Sequence, residues 1–295
     1  MNSRYRSLLP ILLAALALAG ASGAAAEEMR AGGKLLLTHG VSTIEGAAGG
    51  GLATWAVIAG DETRNGIGGQ ANVSYVGLPD YQLRDFGGAI GFYDRLEVSY
   101  AHQAFDTGAT GAKLGLGDGF TFDQDVFGAK LKLVGDAVYG QDTWLPQVAV
   151  GVQYKHNDQG AIIHAVGGKH ADGADYYVTA TKVLLDQSLV LSGAVRLTKA
   201  NQTGLLGFGG DLGDSYKPQF EGSVGYLVTR RLVVGGEVRT KPSNLGFAKE
   251  DDWFDLFAAY ALTHNLSVTA GYVDAGSIAT FGGQHGLYLS LQAGF

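Results

Sequence analysis

The chain has no cysteine, only 5 prolines in 295 residues, and 17% charged side chains, against roughly 25% in an ordinary soluble domain. Each shortage excludes something. Without cysteine there is no disulfide frame and no cysteine to carry a lipid anchor, so an exported chain of this size must be held by a core or by a surrounding membrane. After residue 26 no run of about 18 apolar residues occurs, and no long segment places apolar residues at i, i+3, i+4 and i+7. Helical membrane spans are thereby excluded. The formal charge of -7 and the isoelectric point near 5.4 argue against nucleic acid, which attracts basic patches. Metal-protease and phosphate-loop motifs are missing, and Gly222-Ser223-Val224-Gly225 after Glu221 breaks the G-x-S-x-G pattern. No enzyme, cofactor or metal site is expected.

The beginning of the chain reads as an address. Arg4 and Arg6 precede the apolar run Leu8 to Leu18, and Ala24-Ala25-Ala26 forms a small-residue cleavage pattern. This is the layout of an export signal over residues 1–26, leaving residues 27–295 as one domain.

The abundant residues are 47 glycines, 14 tyrosines and 13 phenylalanines, which suit short strands and tight turns. Period-two alternation recurs in segments of about ten residues. At the end of the chain Leu287, Leu289, Leu291, Ala293 and Phe295 fall on one face, Tyr288, Ser290, Gln292 and Gly294 on the other. Phe254, Leu256, Ala258, Tyr260 and Leu262 oppose Asp255, and Leu232, Val234 and Val238 oppose Glu237 and Arg239. Phe220, Val224, Tyr226 and Val228 oppose Glu221, and Leu191, Val195 and Leu197 oppose Arg196. Val150, Val152 and Tyr154 oppose Lys155; Phe127, Ala129 and Leu131 oppose Lys130 and Lys132; Leu96, Val98 and Tyr100 oppose Glu97. Connectors alternate short and long, with a long turn Gly135 to Leu145 where a short one is due.

This rhythm predicts a transmembrane antiparallel up-and-down β-barrel. In hydrocarbon an unpaired backbone group costs several kcal/mol, so such a sheet must close on itself. Parity gives 14 strands if Lys34 to Ile44 joins the wall; the alternative is 12, with the glycine-rich Gly46 to Gly51 region and everything before it inside the lumen. The wet faces then supply a predicted lumen lining of Glu97, Lys130, Lys132, Lys155, Arg196, Glu221, Glu237, Arg239 and Asp255, with Lys182 assigned inward as well. Both charge signs line it, which predicts weak ion selectivity.

The stretches GGKLLLTHGVSTIEGAAGGG (Gly32 to Gly51), KPQFEG (Lys217 to Gly222) and RTKPSNLGFAKEDDWFDLFAAY (Arg239 to Tyr260) resemble a functionally uncharacterised family of proteobacterial outer-membrane proteins. That resemblance implies location and architecture and brings no substrate or active residue. The last strand with its terminal Phe295 looks like the assembly signal of Gram-negative outer-membrane proteins, which implies the barrel-assembly machinery as a partner beside outer-membrane lipid and lipopolysaccharide. The expected function is passive passage of small solutes, with a non-conducting structural or surface-interaction barrel as the main alternative and an enzyme at the barrel rim as a lesser one. Within the predicted outer loops, His156, His164 and His170 match no zinc spacing, and Glu250-Asp251-Asp252 is a weak candidate for a divalent cation near lipopolysaccharide.

Overall fold

The computed structural model describes residues 34–38, 41–61 and 64–295. The expected export signal lies outside them. Two-residue strands β1 (Val41–Ser42) and β2 (Ala48–Gly49) come first. Long strands follow: β3 (Ile67–Gly77), β4 (Gln82–Phe92), β5 (Leu96–Asp106), β6 (Thr121–Val134), β7 (Gln147–Asn157), β8 (Gly173–Leu184) and β9 (Leu189–Thr198). The set ends with β10 (Lys217–Thr229), β11 (Leu232–Arg239), β12 (Trp253–Ala261), β13 (Leu266–Asp274) and β14 (His285–Gly294). Each long strand pairs antiparallel with its neighbours in the chain, and β14 pairs with β3 to close the barrel.

The wall therefore has 12 strands and matches the alternative count, not the 14-strand one. The described residues of Lys34 to Ile44 do not join the wall, and neither does Leu52 to Ile58. Among the described residues of this segment, β1 pairs with β2, Gly49 of β2 bridges to Thr54, and neither strand pairs with the wall.

Alternation decides which way each strand faces. Phe220, Val224 and Leu256 are 59%, 54% and 61% exposed on the outside, whereas Glu221, Ser223 and Asp255 beside them are buried inside. Tyr154, Tyr226, Tyr260 and Tyr272 also point outward. Apolar side chains this exposed on every strand make an outer surface suited to hydrocarbon, not water. Among the described residues no helix is long and apolar enough to cross a membrane.

Closure also explains the C-terminus. Phe295 N–H donates to the Gly69 carbonyl at 2.9 Å, and Gly69 N–H returns the bond at 2.8 Å. A Cβ on Gly69 would stand 2.8 Å from the Phe295 ring, so a glycine there makes room for the terminal aromatic.

The two ends of the barrel differ. One carries tight links, such as Tyr93-Asp94, both with positive φ, the backbone of a type I′ hairpin whose twist matches its strands. The longer 135–146 turn sits at this end too. The other end carries the long connectors, including α1 (Gly108–Lys113) and α2 (Gly160–Ala165). The 78–81 connector is short yet lies at the loop end, an exception to the alternating rhythm.

Candidate functional site

The lumen is occupied by the chain itself. Residues 34–38 and 41–61 enter at the turn end, where the Lys34 ammonium donates to the carbonyls of Ile58 at 2.6 Å and Gly60 at 3.0 Å and pairs with Asp94 at 3.4 Å. The segment climbs to Glu45, reverses, and returns to Asp61, whose N–H donates to the Phe295 carbonyl at 3.1 Å. Every residue from 41 to 61 is buried. Gly46, at φ +85, lies where a Cβ would meet the Tyr100 carbonyl oxygen at 2.4 Å, and at Gly50 it would meet Glu237 Oε1 at 1.6 Å. The glycine tract is thus a turn pressed against the wall inside the lumen, where the 12-strand alternative puts it.

Wall side chains take up the backbone of this segment. Leu52 N–H donates to Glu237 Oε2 at 2.7 Å, Thr54 N–H to Glu221 Oε2 at 2.8 Å, Ala56 N–H to Thr181 Oγ1 at 2.8 Å and Ala59 N–H to Glu97 Oε2 at 2.9 Å. In the other direction Gln103, Gln147 and Thr179 donate to the carbonyls of Ile44, Ala56 and Thr54. Buried backbone groups need partners, and here side chains replace a strand ladder.

Glu45 is the centre of the charge arrangement. Its carboxylate accepts two hydrogen bonds from the Arg239 guanidinium, Nη1 to Oε2 and Nη2 to Oε1, both at 2.9 Å. It also accepts one from Lys155 Nζ at 2.5 Å, and Arg196 Nη2 lies 3.8 Å away. Lys155 reaches Asp175 at 2.8 Å; Arg196 Nε donates to Glu221 at 2.5 Å and its guanidinium stacks 4.9 Å from the Tyr177 ring centre. Lys155, Arg196 and Arg239 thus face Glu45, Asp175 and Glu221, so formal charge balances. All six are buried. In a low-dielectric interior such a set is tolerated only when each charge is paired and hydrogen-bonded.

All nine sequence-predicted lumen residues point inward and are buried. Four of them, Lys155, Arg196, Glu221 and Arg239, share the cluster around Glu45. Glu97 and Lys130 form a second pair at 2.9 Å, and Lys130 also donates to the carbonyls of Ala48 and Trp55. Glu237 and Asp255 stand opposite each other on β11 and β12, and Lys132 pairs with Asp94 at the turn end. Lys182 corrects its inward reading: it shares the face of Tyr176 and Val178, and its ammonium donates to carbonyls of Gly140 and Leu145 in the 135–146 turn. Glu45 and Asp175 were missed. Glu45 is the only Asp, Glu, Lys or Arg between Leu35 and Gly60, a signal available in advance.

The loop candidates are spent on internal contacts. His156 pairs with Asp172 and Asp158, His164 with the Gly168 carbonyl, and His170 with Asp214 at 3.6 Å. Among the described residues no group of three or more His, Cys, Asp or Glu is placed to hold a metal ion. Glu250 is buried against Lys241 at 3.0 Å, Asp251 pairs with Lys249, and Asp252 accepts the Lys241 N–H. Burial pushes the Lys241 amine down, opposed by Glu250; burial pushes the Glu250 carboxyl up, opposed by Lys241.

Cavities lie at either end of the luminal segment. One, of about 210 Å³, is at the turn end beside Lys34, Asp94 and Gln147. The other, of about 100 Å³, is at the loop end beside Phe105, Phe122 and Trp253. They share no lining residue, and the luminal segment stands between them.

A family model described as "Protein of unknown function (DUF3034)" matches residues 38–292. No curated protein matches the chain. Among solved structures it is similar to the KdgM porin, at 9% identity over 77% of this chain and 99% of that one, with a TM-score of 0.49. It is also similar to an outer membrane channel from Pseudomonas putida F1, at 10% identity over 77% and 94%, TM-score 0.47. A third likeness is to outer membrane phospholipase A from Escherichia coli, at 9% identity over 77% and 91%, TM-score 0.42. These likenesses carry no functional argument to this chain.

Proposed function

We propose that this chain, which belongs to the DUF3034 family of unknown function, is an exported outer-membrane channel for small solutes whose lumen is closed by its own N-terminal segment. The observation that carries the reading is how residues 41–60 are held. They fill the lumen, yet the hydrogen bonds tying them to the wall run through side chains, so the segment can leave without breaking any pair of wall strands.

The choice of side chains supports the same reading. A lumen meant to stay filled is held at least as well by packed apolar residues as by buried ion pairs. Charges are what an emptied lumen needs, because water rehydrates them. Closure of the wall through β14, β3 and Phe295 does not depend on the segment remaining inside. The outward apolar band supports placement in the outer membrane, with lipid and lipopolysaccharide as its surroundings. Phe295, at the seam, is the residue through which the assembly machinery would recognise the last strand; removing it should lower the inserted fraction.

The test is a pair of proteins in planar bilayers. The full chain should stay mostly closed, and a chain lacking residues 34–60 should give stepwise conductance. Heat-dependent mobility on gels reports that each has folded. A folded deletion protein that never conducts would overturn the channel and favour the non-conducting surface-interaction barrel, which the filled lumen also supports.

A further inference from the structure

The loop-end cavity differs chemically from the lumen beneath it. Phe105 and Phe122 reach it from inward positions at the loop ends of β5 and β6, Trp253 from the start of β12, and Leu206 and Ile278 from connectors. An aqueous mouth would be lined by polar groups at these positions. Instead the lining belongs to an apolar cluster that continues down to Ile44 and Leu52, on either side of the luminal turn. The same cluster links the cavity's walls to the tip of the closing segment.

Water is a poor occupant. A buried water needs two to four polar partners, and the polar groups of the lining are nearly all engaged. Gln202 donates to the Ser277 carbonyl at 3.1 Å and accepts from Lys241 at 3.1 Å. Thr107 Oγ1 donates to the Phe120 carbonyl at 2.7 Å, and the Tyr81 hydroxyl to the Ile278 carbonyl at 3.3 Å. The exception is the indole N–H of Trp253, buried with no acceptor among the described residues. An unpartnered buried donor costs about 1–3 kcal/mol.

We infer that this cavity binds a small one-ring aromatic molecule carrying a single hydrogen-bond acceptor. Its volume, about 100 Å³, is of the order of the apolar cavity of ~150 Å³ known to admit benzene, too small for a lipid chain. Its walls are themselves aromatic, with Tyr81 and Phe105 stacked at 5.1 Å and Phe120 edge-on to Phe122 at 5.2 Å, surfaces that attract another ring. One unpaired donor calls for one acceptor and excludes a sugar. The exposed Phe247 and half-buried Val166 place the way in at the loop surface. The site goes beyond the channel reading and does not depend on it, because it is complete while the lumen is closed.

The test uses the full chain in detergent micelles, with 4-fluoroacetophenone and fluorobenzene as probes read by fluorine NMR. Saturable binding at one site is expected for both, in excess of partition into empty micelles. Val166→Trp, at a half-buried rim position, should weaken both at least tenfold by filling the mouth. Trp253→Phe should weaken the ketone about fivefold, the worth of one hydrogen bond, and leave fluorobenzene within twofold. Leu206→Phe serves as the second blocking variant should Val166→Trp fail to fold. Non-saturable partition, identical in the unaltered and the folded blocked protein, would overturn the site. Equal weakening of both probes by Trp253→Phe would overturn the role of the indole donor. Neither result touches the conductance of the deletion protein, so the two readings fail separately.

Discussion

Replacing Glu45 by Gln removes one charge from the lumen and little else, since the amide keeps the length and one acceptor oxygen. Three cations, Lys155, Arg196 and Arg239, would then face two anions, Asp175 and Glu221, in a buried site. Removing one partner of a buried ion pair costs about 3–5 kcal/mol, because the remaining charge is left uncompensated. That cost falls on the docked state of the segment alone: once residues 34–60 leave, water reaches the wall cations. Since 1.4 kcal/mol is about a factor of ten, the ratio of undocked to docked segment should rise roughly a hundredfold to a thousandfold or more. Planar bilayers read this directly as the rate of opening events and the fraction of time open, with the full chain and the 34–60 deletion as the two limits. Adding Arg239→Gln to Glu45→Gln leaves two cations and two anions and should recover most of the closed state, a non-additivity expected only of groups in contact. The reasoning is refuted if the deletion protein conducts while Glu45→Gln stays as closed as the unaltered chain; the cluster then does not hold the segment in place.

Leu256→Arg places a charge at the middle of β12 on the outside, 61% exposed; in lipid it should cost about 2–4 kcal/mol, read as a fall in the urea midpoint of refolding into vesicles, and no loss at all would contradict a hydrocarbon-facing wall. Lys241→Met should destabilise the 240–252 connector, seen as faster hydrogen exchange, because Glu250 is left buried and unpaired; the double change with Glu250→Met should restore protection to near the original level. The Lys199–Asp214 contact at 2.7 Å holds the Asp214 carboxyl below its usual range, with that hydrogen bond as the leading cause. A depressed folded value means the contribution is complete above the unfolded value near 3.9 and is lost only as pH falls through the folded one. Protection factors in the 199–216 connector, taken relative to the intrinsic exchange rate at each pH, should therefore be the same at pH 7 and pH 5 and lower below about pH 4; loosening already at pH 5 would reject the assignment.

What the sequence disclosed and what it hid have one physical cause. Period-two alternation exists where one side of a strand meets hydrocarbon and the other does not, so Phe220, Val224, Tyr226, Leu256 and Leu289 declared the outward face of their strands, and Glu221, Glu237 and Asp255 the inward one. Residues 41–61 are enclosed on every side, and a segment with no exposed face is under no such constraint. Its isoleucines, valines and alanines, with Leu35 to Leu37 before them, mimic a wall strand, which is why Lys34 to Ile44 supported a count of 14. β8 alternates poorly for a related reason: Tyr176 faces out while Tyr177 faces in to stack on Arg196, so bulky aromatics occupy both faces and hide Asp175 between Ala174 and Tyr176. Charge balance was the more telling signal. The nine predicted lumen residues comprise five cations and four anions, and a lumen that excludes water cannot leave such a surplus unpaired. Beyond the nine, the acids that face these cations come from two places, Asp175 on wall strand β8 and Glu45 on the luminal segment, where it stands alone in a charge-free and glycine-rich run.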